Sequence, residues 1–208
     1  MSGSSLGPKI AVLDYGIGNL RSAEKALQHV GAAARLVSDL AEVEAADAVV
    51  LPGVGAFGAC ARALRDSGLD DVALSAIEAG VPFLGVCIGF QLLYDGSSEN
   101  PEEVGLGVFE GQVAELAAGV KHPQMQWNRL DFARTSPLLE GIDDGSWVYF
   151  VHSYAPSFSP DVVATCDYGG EVVAMVERGR LWATQFHPEK SSAVGLRLLA
   201  NFVAQCDG

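Results

Sequence analysis

Six apolar residues run without interruption from Val81 to Val86, bounded by Gly80 and by the string Gly85-Val86-Cys87-Ile88-Gly89. A stretch with no polar alternation has no solvent face, so it reads as a strand buried on both sides in the middle of a parallel sheet. Parallel neighbours need crossover connections, usually helices, and the rest of the first half supplies them. Ile10 to Leu13 reads as a strand ending at Asp14. Asn19 to Val30 follows with apolar residues at helical spacing, closed by Gly31. Ala34 to Val37 is a second strand, after which Ser38 is placed to cap a short helix. Ala48 to Leu51 is a third strand that stops at Pro52-Gly53. Ala56 to Asp66 and Leu69 to Ala79 are helical, and helical spacing resumes from Ile88 to Tyr94. Asp95 to Gly107 reads as a polar loop.

The second half is richer in strands: Val113 to Leu116, Trp147 to Val151, Val162 to Cys166, Val172 to Val176 and Leu181 to Gln185, with Arg178-Gly179 marking a hairpin. Ser191 or Ser192 is placed to cap a final helix through Ala204, its apolar face carrying Val194, Leu198, Leu199 and Phe202. These patterns give an α/β fold: a mostly parallel central sheet flanked by helices, with an added antiparallel portion. Loops after Asp14, Leu51, Val86 and Phe186 then meet at the carboxyl edge of the sheet, where such folds hold their ligands.

With 208 residues, 49% of them hydrophobic, the chain suits one domain over residues 9–206. Met1 to Pro8 reads as a disordered tail or an expression remnant, lacking the basic start and apolar core of a signal peptide. A net charge of −13 repels phosphate backbones and anionic lipid, which argues against nucleic acid or a membrane surface as partner. No apolar run is long enough to span a bilayer. Cys60, Cys87, Cys166 and Cys206 follow no disulfide scaffold or zinc spacing, so they read as reduced thiols in a cytoplasmic protein.

Cys87 stands where the buried strand turns into a helix, with glycine two residues away on each side, the form of a nucleophile elbow. Such a turn crowds the flanking positions and puts the sulfur at a helix N-terminus, whose free N–H groups favour an anion. The backbone N–H of Ile88 is placed to meet a developing oxyanion. A thiol nucleophile needs a base and a group to orient that base. His187-Pro188-Glu189 supplies both: proline keeps His187 extended, and Glu189 can turn back to accept from one imidazole nitrogen. His29, His122 and His152 are weaker candidates for the base. Pro52-Gly53-Val54-Gly55 follows a strand with two glycines and can aim the Val54 N–H at the same oxygen.

Gly85-Val86-Cys87-Ile88-Gly89-Phe90-Gln91 with the distant His187-Pro188-Glu189 resembles the class I (triad) glutamine amidotransferases. Longer strings resemble the histidine-pathway branch of that family, the glutaminase subunits of imidazole glycerol phosphate synthase: Asp14 to Ser22, Leu51 to Phe57, Tyr149 to Tyr154 and Gln185 to Ser192. The likeness runs from about Ile10 to Phe202. It implies Cys87 as nucleophile, His187 as base and then acid, Glu189 as orienter, and Gln91, Gly53, Gly55 and Ser153 as glutamine-site residues. It also implies that no metal or organic cofactor is required, and that the partner is a (β/α)8-barrel cyclase subunit in a heterodimer, with Lys190 and Ser191 near the interface.

One departure stands in Pro123-Gln124-Met125-Gln126-Trp127-Asn128, where Gln126 replaces a small residue of the family pattern. Three other readings fit less of the chain. A different amidotransferase branch lacks the Asp14 to Leu20 opening. A dinucleotide-binding domain needs a third glycine after Gly16-Ile17-Gly18, and Arg21 stands there instead. A noncatalytic subunit has no need of all three triad positions, which are filled.

Overall fold

The computed structural model describes residues 7–17 and 20–206. Of the expected amino-terminal tail, Met1 to Leu6 lie outside the described residues, as do Gly18 and Asn19 of the opening motif. Pro8 already joins the sheet region, its carbonyl accepting from the Ala33 N–H at 2.9 Å.

The first half alternates strands and helices: β1 (Lys9–Leu13), α1 (Leu20–His29), β2 (Ala33–Val37), α2 (Leu40–Glu44), β3 (Ala48–Leu51), α3 (Phe57–Asp66), α4 (Leu69–Glu78) and β4 (Phe83–Val86). The one-turn helix α5 (Ile88–Gln91) leads into β5 (Tyr94–Ser97), β6 (Phe109–Glu115), β7 (Gln124–Arg129), β8 (Asp131–Phe132), β9 (Trp147–His152), β10 (Tyr154–Pro156), β11 (Val162–Asp167), β12 (Glu171–Arg178) and β13 (Leu181–Thr184), before α6 (Ser192–Ala204).

The main sheet has the order β2-β1-β3-β4-β13-β12-β11-β8. Its first five strands are parallel and the rest antiparallel, as expected. β3, β4 and β13 are buried at every position, because helices cover both faces there. α1 packs beside α6, while α4 packs against both α2 and α3. This division follows from right-handed crossovers: the chain steps one way from β1 to β2 and the other way from β2 to β3 and β4. Leu198, Leu199 and Phe202 fix α6, each buried side chain contributing roughly 1.5–3 kcal/mol. Among the described residues, no helix is long and apolar enough to cross a membrane.

Several local expectations differ. Asp39, not Ser38, caps α2, its carboxylate accepting from the Glu42 N–H at 3.1 Å. The helix after Cys87 ends at Gln91 rather than Tyr94, because Tyr94 opens β5, which runs on into the stretch read as loop. Strands β7, β8 and β10 are additions to the expected set. Ser191 sits at the start of α6 but makes no side-chain cap. The β12–β13 hairpin is present as expected, its two turn residues being Gly179 and Arg180, one residue on from the expected pair, with Gly179 in the left-handed region at φ 61°.

Candidate active site

Cys87 occupies the turn between β4 and α5 with φ 55° and ψ −109°, a conformation that strains any residue with a side chain. Hydrogen bonds hold it there: its N–H donates to the Thr184 carbonyl at 2.8 Å, and its own carbonyl accepts from Gln91 N–H at 3.1 Å. The flanking glycines are required by close approach. A Cβ on Gly89 would lie 1.8 Å from the Leu51 carbonyl oxygen, and one on Gly85 would lie 3.1 Å from the Gly89 oxygen. The sequence pattern therefore reports contact between the elbow and β3.

His187 follows β13, the strand paired in parallel with β4, so the two strand ends bring base and thiol together. Its Nδ1 lies 2.8 Å from Glu189 Oε1, and the two side chains are only 2% and 9% exposed. Nε2 is buried, and His187 and Cys87 line the same cavity. Burial disfavours the charged ring, but hydrogen bonding and charge from Cys87 and Glu189 outweigh it and push the His187 pKa up to about 9. Ser191 Oγ donates to the His187 carbonyl at 2.6 Å and accepts from the Tyr149 N–H at 3.0 Å. That tie to β9 occupies the hydroxyl that was expected to cap α6. Gly195 lets α6 approach the same segment, since a Cβ there would lie 1.9 Å from the Pro188 oxygen.

The loop after β3 lies against the elbow. Gly53 is glycine because a Cβ would meet the Gly89 nitrogen and Ile88 Cβ at 2.8 Å, whereas Gly55 needs its φ of 106°. The expected oxyanion donor is engaged: Ile88 N–H donates to the Gly53 carbonyl at 3.4 Å. An oxygen of the loop thus takes the donor that a reaction oxyanion would use. On either side, Tyr15 Oη donates to the Pro52 carbonyl at 2.6 Å and Cys60 Sγ to the Val54 carbonyl at 3.4 Å.

These parts border one cavity of about 390 Å³, large enough for an amino acid. Val54, Gly55, Cys87, Ile88, Gln91, Ser153 and His187 line it, whereas Gly53 does not. Gln91 Nε2 donates to the Tyr154 carbonyl at 2.9 Å and to Gln185 Oε1 at 3.0 Å, which turns its amide oxygen into an acceptor with no protein donor. Two further residues, Gln185 and Glu99, escaped the sequence reading as site residues, and His152, there a weaker candidate for the base, joins them. Gln185 is fully buried and directs its Nε2 toward Cys87 Sγ at 3.8 Å. Glu99 brings a carboxylate to the cavity while accepting from Phe57 N–H at 2.7 Å. His152 bonds the Tyr154 carbonyl through Nδ1 at 2.8 Å, and burial holds its pKa down at about 4, so the ring stays neutral. Gln185 and His152 fall inside strings that carried the family resemblance, His152 at the end of β9; Glu99 comes from the loop after β5, with no distinctive spacing. His122 lies beside Glu115 at 3.2 Å, and Gln126 is exposed on β7, so neither is part of the cavity wall. The described residues hold no cluster of metal-ligating side chains.

The arrangement can perform thiol-mediated acyl transfer on a small amide. The family model for class I glutamine amidotransferases matches residues 11–206. The imidazole glycerol phosphate synthase subunit HisH of Syntrophotalea carbinolica is 46% identical over 202 residues, covering 93% of this chain and 98% of that protein. The HisH subunit of Methanothermobacter thermautotrophicus is 49% identical over 195 residues, covering 93% and 97%. A crystal structure of a glutamine amidotransferase superimposes with a TM-score of 0.75 at 24% identity, over 96% of this chain and 99% of the other. The PurLQS structure from Thermotoga maritima gives 0.73 at 21% identity, over 96% and 97%.

Proposed function

Because the chain belongs to the class I glutamine amidotransferase family, in the branch of the imidazole glycerol phosphate synthase subunit HisH, we propose that it hydrolyses glutamine and passes the ammonia to a cyclase subunit in histidine biosynthesis. The observation that carries this reading is Cys87 and His187 meeting at one cavity, on strand ends that the sheet holds side by side, with Glu189 behind the imidazole at 2.8 Å from its Nδ1.

The Cys87 thiol gives its proton to His187 as its sulfur attacks the side-chain amide carbon of glutamine, and the carbonyl oxygen takes the charge. His187 gives a proton to the departing nitrogen, leaving a γ-glutamyl thioester. Water, deprotonated by the same ring, then attacks the thioester, so glutamate leaves and the thiol is restored. Glu189 keeps the imidazole oriented and stabilises its charged form. For the oxyanion to bind at Ile88, the Gly53 carbonyl must first leave. That carbonyl and the Val54 N–H belong to one peptide plane, so a single rotation withdraws the acceptor and presents a second donor. Glycine at 53 lowers the steric cost. This supports low glutaminase activity until the partner is loaded.

The partner is a (β/α)8-barrel cyclase subunit, joined in a heterodimer. Free ammonia is protonated in neutral cytoplasm and loses its nucleophilicity, so a synthase over the cavity mouth preserves it. β7 and β9 support a docking face there: Met125 and Trp127 are 60% and 43% exposed beside Tyr149 and Val151, and Val151 also lines the cavity. The four cysteines, none in a disulfide, fit a reducing cytoplasm.

Ammonia release by wild type and Cys87→Ala, each alone and with a candidate cyclase plus its nucleotide substrate, tests the reading. Release that requires the loaded partner and is lost in Cys87→Ala is expected. Partner-independent release would move the chain to another amidotransferase branch, and no release from folded wild type beside an active cyclase would overturn the glutaminase assignment.

A further inference from the structure

Three successive peptides of the loop after β3 are held unequally. The Pro52–Gly53 peptide is pinned at its oxygen by the Tyr15 hydroxyl at 2.6 Å, and the Val54–Gly55 peptide at its oxygen by the Cys60 thiol at 3.4 Å. Between them, the Gly53–Val54 peptide has one long bond of 3.4 Å, from Ile88 N–H. Beyond Gly55 the chain is fixed again: Phe57 N–H donates to Glu99 Oε2 at 2.7 Å and Gly58 N–H to Asn100 Oδ1 at 2.9 Å. Rotating one peptide plane alone changes only ψ of the residue before and φ of the residue after, and leaves both neighbouring planes where they are. Firm flanks and a loose centre are the conditions for that motion.

We propose that Tyr15 and Cys60 are positioning residues that confine activation to the Gly53–Val54 peptide, so that its N–H arrives in register with Ile88 N–H. Neither touches the substrate; each acts through the carbonyl it holds. Both side chains are buried and remain donors at neutral pH, since burial pushes the Cys60 thiol up to about 11 and the Tyr15 hydroxyl well above its ordinary range. Cys60 thereby gains a task distinct from that of Cys87, and the aromatic residue of the opening motif gains one besides packing. This inference rests on the glutaminase reading, so wild-type release and its loss in Cys87→Ala are established first in the same assay.

Steady-state glutamine hydrolysis with the loaded cyclase partner is then measured for Tyr15→Phe, Cys60→Ala and Cys60→Ser. A misplaced oxyanion donor weakens the transition state and leaves the ground state alone, so kcat falls about tenfold in Tyr15→Phe and Cys60→Ala while KM stays within about twofold. Cys60→Ser, which keeps a donor, recovers most of the rate. A kcat within about twofold of wild type in both, a loss carried by KM, or a serine variant no better than alanine overturns the proposal. A second measurement needs only correctly folded wild type: the infrared S–H band of Cys60, assigned by its absence in Cys60→Ser. It keeps its hydrogen-bonded position when partner and nucleotide are added if the anchor persists, and a move to the free-thiol position overturns the proposal.

Discussion

Replacing Glu189 with Gln changes one charge in a buried pair and leaves an oxygen able to accept from His187 Nδ1. The pair is 2.8 Å apart, with side chains 2% and 9% exposed, so solvent screens it weakly. At an effective permittivity of about 20 the attraction at that distance is about 6 kcal/mol, an upper bound because burial costs offset it. A carboxylate this close usually moves its partner by about 1–3 pKa units. Removing the charge should therefore bring the His187 midpoint from about 9 down by about two units, close to neutrality. The chain has only four histidines, so the His187 ring signals can be assigned by their absence from His187→Asn and followed through a pH titration by NMR. Ammonia release at neutral pH should fall about tenfold to a hundredfold, because the ring keeps its tautomer but holds its proton less firmly. A midpoint that stays near 9 in Glu189→Gln would refute a share for Glu189 in raising it and leave the shift to Cys87 alone.

Gly89→Ala places a methyl group 1.8 Å from the Leu51 oxygen, so the urea midpoint should drop by the equivalent of about 3 kcal/mol; unchanged stability would mean that elbow and β3 are not in contact. Brief iodoacetamide treatment of the native protein at pH 7, followed by peptide mapping, should label Cys87 well ahead of Cys60 and Cys166, whose thiols are buried and pushed up to about 11 and 12; equal labelling would contradict their burial. The two buried histidines should give stability a maximum near pH 6.5. His187, raised to about 9, contributes fully below 6.5 and loses that contribution as pH rises through 9, while His152, lowered to about 4, contributes above 6.5 and loses it as pH falls toward 4. Each limb is worth about 3 kcal/mol, and urea unfolding across this range should lose its acid limb in His152→Asn; a slope that survives the substitution would assign it elsewhere.

The parallel half of the sheet was legible because β3, β4 and β13 are continuous apolar runs that mean burial on both faces. β7 was not, since Gln124–Arg129 is mostly exposed and joins β9 by backbone bonding without an apolar face to announce it. β5 reads Tyr-Asp-Gly-Ser, the composition of a turn, and is a strand only through its pairing with β6. The apolar spacing of Ile88, Phe90, Leu92 and Leu93 mimicked a longer helix than one turn. In the site, the elbow was readable because its glycines answer to steric limits that few residues meet. Which way the Gly53 carbonyl faces was not, because a side-chain sequence carries no record of the orientation of a single peptide plane.

The place of β13 in the sheet sets an order of assembly. It follows all the other strands in sequence, yet it lies between β4 and β12 and carries His187 at its end. As the chain leaves the ribosome, the thiol of residue 87 is present long before the base of residue 187 exists. The emerging protein therefore carries no Cys87–His187 pair until residue 187 has been made. The same delay leaves β4 with an unpaired, wholly apolar edge, the kind of surface that draws in other chains. A nascent chain stalled in this interval is the form of the protein most in need of a chaperone.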